Sequence, residues 1–78
     1  MALKDWMIAF NKAKTMESNG VEGSELIEEY ERVLEKLGEG PLTEAEENVR
    51  KEVARNLYEL HTLNGNEEKA EEYRKMAE

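Results

Sequence analysis

The sequence predicts an all-α domain of four antiparallel helices, paired as two helix-turn-helix hairpins that form either a repeat-like stack or a compact bundle. Three observations predict it. Apolar residues recur at steps of three and four along the chain, with few β-branched residues and no strand-like alternation. Glycines at 20, 38 and 65 close segments of helical length, and Gly38-Glu39-Gly40-Pro41 is the sharpest break. Finally, 78 residues make one domain, here 1–78, with hairpin one at 3–37, a linker at 38–42 and hairpin two at 43–77.

The first helix is expected over about residues 3 to 17, with Leu3, Trp6, Met7, Phe10, Ala13 and Met16 on one stripe. Ser18-Asn19-Gly20 supplies the residues that tolerate the left-handed conformation at a helix C-terminus. The second, about 24 to 37, opens with Ser24 as the expected N-cap and aligns Ile27, Tyr30, Val33, Leu34 and Leu37. The third begins at Thr43-Glu44-Ala45-Glu46, where the Thr43 hydroxyl and the Glu46 carboxylate can satisfy each other's backbone N–H groups. Its stripe is Val49, Val53, Leu57 and Leu60, flanked by Ala54, His61 and Leu63. The fourth, from Asn66 or Glu67 to about Ala77, has only Ala70, Tyr73, Met76 and Ala77 to bury and needs a neighbour to hold it. The expected core is Phe10, Ile27, Tyr30, Val33, Leu34, Val53, Leu57 and Leu60.

The formal charge of −8 is concentrated between residues 22 and 48, where ten glutamates stand against Arg32 and Lys36. A field of that sign repels phosphate, so neither nucleic acid nor a membrane surface is the expected partner. Cysteine is absent, which excludes disulfides and thiolate chemistry, and no apolar run approaches the ~20 residues needed to cross a bilayer. A soluble, cytoplasmic protein is expected.

The second and fourth helices align without gaps at an offset of 43, with Glu-Glu-Tyr identical at 28–30 and 71–73. The first and third align at an offset of 47, which sets Phe10 over Leu57. The stretch from Ala54 to Ala77, with its apolar first helix, Gly65 between the helices and small residues at Ala70 and Ala77, resembles a tetratricopeptide repeat. Tyr58, His61 and Arg74 depart from that family's pattern, and the first hairpin places Ile27 and Leu34 where small residues belong. The resemblance implies a non-enzymatic scaffold that presents a helix-lined groove to a protein or peptide. It further implies a groove lined by Asp5, Ile8, Lys12 and Thr15 around Phe10 and by Glu52, Arg55, Glu59 and Thr62 around Leu57. The implied ligand is a neutral or basic helical segment.

Catalytic constellations are not evident. His61 is the sole histidine, which leaves no two-histidine metal site and no base-orienting pair for a serine nucleophile, and the residue three before it is Tyr58 rather than the Glu a di-iron bundle requires. Asp5 is the sole aspartate, so no EF-hand loop exists, and no cofactor or metal is expected. Trp6 has two readings, as core filler or as an aromatic anchor for a partner. Against the scaffold stands a second function class, a self-assembling homodimeric bundle of structural or regulatory role, since two hairpins fall short of the three repeats such arrays usually need.

Overall fold

The structure, a computed structural model, describes residues 3–78; residues 1 and 2 of the expected domain lie outside the described residues. Four helices follow one another: α1 Asp5–Ser18, α2 Ser24–Leu37, α3 Glu44–Leu63 and α4 Glu67–Met76. No strand occurs among the described residues. Each helix packs on its neighbours in sequence, α1 on α2, α2 on α3 and α3 on α4, and no backbone of α1 approaches α4 within 8 Å. The result is a slab of 40 × 28 × 15 Å rather than a sphere.

The apolar stripes explain this order. Ala9 and Ala13 of α1, Leu26, Ile27, Tyr30 and Val33 of α2, and Val53 and Leu57 of α3 form one buried cluster. α2 contributes half of it because it lies between the other two helices of that group, α1 and α3. Small side chains on α1 let its backbone approach α2 closely. Trp6, Phe10, Leu34, Leu60 and Tyr73 pack around the margin, half-buried. Of the expected core, Phe10, Leu34 and Leu60 therefore sit at the edge, whereas Ala9 and Leu26 enter the centre. Leu3 lies before α1 and is 60% exposed, so the first stripe starts at Trp6.

The helix ends follow the local chemistry closely. The Thr43 hydroxyl accepts from the Glu46 N–H at 3.1 Å and the Glu46 carboxylate accepts from the Thr43 N–H at 3.0 Å, completing the expected capping box. Ser24 does not cap α2: it is the first helical residue, and Gly23 stands at the N-cap with φ 74° and no side chain to offer. α1 and α3 end alike. Val21 N–H donates to Met16 O at 2.9 Å and Asn66 N–H to His61 O at 2.8 Å, each one residue past a glycine in the left-handed region, Gly20 and Gly65. Those two turns match at an offset of 45, two residues short of the alignment that sets Phe10 over Leu57.

Leu57 has no exposed surface and lies in the cluster shared by three helices. Leu57→Ala should lower the unfolding free energy in urea by ~2–5 kcal/mol; a loss under ~1 kcal/mol would mean that the cluster is not the centre of the fold.

Candidate functional site

α1 and α2 form a shallow, open hollow of about 300 Å³ lined by Asp5, Ile8, Ala9, Lys12, Glu29, Arg32 and Lys36. Its apolar element is Ile8, 54% exposed beside buried Ala9. Its polar centre is Glu29, only 4% exposed. The Glu29 carboxylate takes a hydrogen bond from Arg32 Nη1 at 2.8 Å along the same helix and an ion pair from Lys12 Nζ at 3.4 Å across from α1. Glu29 falls on the buried side because it shares the helical line Leu26, Glu29, Val33, spaced three and four residues apart. Two basic residues answer its charge, as a buried carboxylate requires.

The eight residues expected around a groove are all exposed, but the structure does not gather them into one lining. Asp5, Ile8 and Lys12 meet α2 in the hollow just described. Thr15 lies further along α1, outside it. On α3, Glu52 pairs at 2.8 Å with Lys14, not Lys12. Thr62 turns its hydroxyl back to Tyr58 O at 2.7 Å within its own helix, and Arg55 and Glu59 join no ion pair among the described residues. The physical reason is the order of packing: α1 lies against α2, and no Cα of α1 comes within 8 Å of one of α3, so residues on the two helices do not share one lining.

α1 and α3 are instead joined on another line. The half-buried Trp6 indole donates through Nε1 to Glu46 Oε2 at 3.0 Å, and Lys4 Nζ lies 3.4 Å from the same oxygen. Trp6 therefore packs against the core and spends its N–H inside the chain. Lys14 Nζ, paired with Glu52, also sits 5.4 Å from the centre of the Phe10 ring. The Thr43 backbone N–H, with the Thr43 hydroxyl and Lys4 behind it, holds the Glu46 carboxyl below its ordinary range.

A third polar group joins α2, α3 and α4. His61 is 5% exposed and stacks on Tyr73 with ring centres 5.5 Å apart. The Asn66 amide nitrogen lies 3.2 Å from Nδ1, and the buried Nε2 lies 3.5 Å from Glu31 Oε2 without a hydrogen bond to it. The same Glu31 oxygen accepts from the Tyr73 phenol at 2.8 Å. Burial, then this bond to Glu31, push the Tyr73 phenol well above its ordinary range. Tyr30 behaves likewise, fully buried and donating to Glu17 at 2.8 Å. His61 is thus a packed imidazole. No group of three or more His, Cys, Asp or Glu side chains among the described residues is arranged to hold a metal ion, and no described helix is long and apolar enough to cross a membrane.

Compared with known proteins, the chain matches no family model, no curated protein and no solved structure.

Two measurements check this geometry. Arg32→Ala leaves the buried Glu29 carboxylate with Lys12 alone, and should cost about 1 kcal/mol or more in urea unfolding; an unchanged midpoint would show that Arg32 does not serve Glu29. The second is acid stability. Because the folded-state value of Glu46 is lowered, its contribution is present above the ordinary carboxyl value near 4.5 and fades as pH falls through and below it. Glu46→Gln should therefore lose less melting temperature than the unaltered chain between about pH 6 and about pH 3. Equal losses would rule Glu46 out as a source of the acid sensitivity.

Proposed function

We propose that this chain is a non-enzymatic protein–protein interaction module that docks a partner helix against the hollow between α1 and α2. The observation that carries this reading is Ile8, a large aliphatic side chain left 54% exposed beside fixed ion pairs. Contact areas of this kind, an apolar centre within a polar rim, suit a partner that contributes one apolar side chain and hydrogen-bonding neighbours. The lining is close to balanced: Lys12 and Arg32 answer Glu29, which leaves Asp5 and Lys36. An uncharged amphipathic helix fits that lining better than a strongly acidic or basic one.

The alternative is a homodimer built through the same helix, since Leu3, 60% exposed, stands two residues before α1 and five before the exposed Ile8. One pair of measurements separates the two. Light scattering across concentrations should give the mass of a single chain. Titration of the isotopically labelled chain with an uncharged amphipathic helical peptide should shift the amides of Ile8, Ala9 and Lys36, and Ile8→Asp should abolish those shifts. A concentration-dependent dimer that Ile8→Asp dissolves would select self-assembly instead. Shifts that avoid α1 and α2 would remove the hollow as the docking face.

A further inference from the structure

At the opposite end of the slab from Trp6 and Glu46, the α1–α2 turn meets the C-terminus of α3 around a second hollow of about 300 Å³. Its apolar wall is Val21, Leu26, Leu60 and Leu63, and its charged residues are Glu17 and Glu22, with no basic side chain in the lining. Leu63 is 84% exposed, the most exposed of the large hydrophobic residues named for this surface or any other in the described chain. Glu17 is held in place, since its carboxylate accepts the phenol of the fully buried Tyr30 at 2.8 Å. Neither Glu17 nor Glu22 joins an ion pair among the described residues.

The helix ends add to the same sign. α1 and α3 both terminate here, with Gly20 and Asn64 in the lining, and each C-terminus carries about half a negative charge. α1 has no basic residue in its last turn, and the one in the last turn of α3 is His61, which is buried and turned to Glu31. α2 begins here with the opposite polarity, but Glu22 before it and Glu25 in its first turn offset that positive end. An exposed aliphatic surface is thus bordered by the carboxylates of Glu17 and Glu22, with no basic side chain beside them, and by two negative helix ends against one positive end.

We propose that this hollow docks a basic amphipathic segment of a partner protein, with an aliphatic side chain seated against Val21, Leu60 and Leu63 and a lysine or arginine head directed to Glu17 and Glu22. A second copy of the chain is disfavoured as occupant, because two molecules of net charge −8 would repel at an acidic mouth. The site is separate from the α1–α2 hollow, so either can fail without the other.

The test uses the full chain, isotopically labelled, and two synthetic helical peptides of one pattern, one of leucine and lysine and one of leucine and glutamate. The leucine–lysine peptide should shift the amides of Gly20, Gly23, Leu63 and Asn64, and bind more weakly as salt is raised. Glu22→Gln should weaken it by roughly threefold, the scale of one exposed charge pair, and Leu63→Ser should weaken it further. Leu63 is exposed enough for that change to leave the fold intact, which the unshifted remainder of the spectrum would confirm. Equal or tighter binding of the leucine–glutamate peptide, shifts confined to Ile8 and Lys36, or insensitivity to both substitutions would overturn the proposal. So would a dimer in light scattering that Leu63→Ser dissolves, since a second copy would then be the occupant.

Discussion

α2 is packed from both sides, by α1 and by α3, and the rest of the fold depends on that double burial. A helix that must hide two faces needs an apolar arc wider than a single seam, and α2 has it in Leu26, Ile27, Tyr30 and Val33, with Leu34 and Leu37 at the margin. The cost of so wide an arc is that its polar residues are drawn toward the interior. Glu29 and Glu31 sit at the two edges, and each is satisfied by a neighbouring helix: Glu29 by Lys12 of α1, Glu31 by Tyr73 of α4. The acidic surplus of this helix is therefore partly structural, because two of its carboxylates hold neighbours in register.

α1 and α3 run side by side without close backbone contact, and side chains span the gap. Trp6 is one of them, its indole meeting Glu46, and Glu46 is at the same time half of the cap that starts α3. One carboxylate thus couples the start of a helix to the placement of its neighbour. Lys14 with Glu52 does the same one to two turns further along, on more exposed ground where an ion pair contributes little by itself.

Much of this was legible in the sequence. Helix number and ends follow from glycine, Pro41 and the Thr43–Glu46 box, because those signals act within a few residues and do not depend on tertiary packing. The stripe through Ile27, Tyr30, Val33, Val53 and Leu57 was equally plain. Less legible was which small residue faces a neighbour: Ala9 is buried by the approach of α2, and alanine carries no hydrophobic signal strong enough to mark it. Glu29 was readable in principle from its place between Leu26 and Val33, but charge argues for solvent until its partners are known. The expected groove depended on α1 and α3 packing on each other, and the likeness of two helices does not say whether they are neighbours. Because α1 packs on α2 and makes no close backbone contact with α3, Asp5, Ile8 and Lys12 line a hollow with α2, and Arg55 and Glu59 lie outside it.

The sequential order of contacts has a consequence for how the molecule comes apart. α4 lies at one end of the row, with backbone contact to α3 only, and beyond that interface the Tyr73 phenol on Glu31 is its tie to α2. Separation of α4 exposes Ala70, His61 and the Tyr73 ring and uncovers the edge of the cluster that Tyr73 covers, but leaves the packing of α1, α2 and α3 on one another in place. Opening thus has a direction. The C-terminal helix can exchange with solvent at lower free energy than the global transition, whereas α2 can be freed only when both of its neighbours are lost.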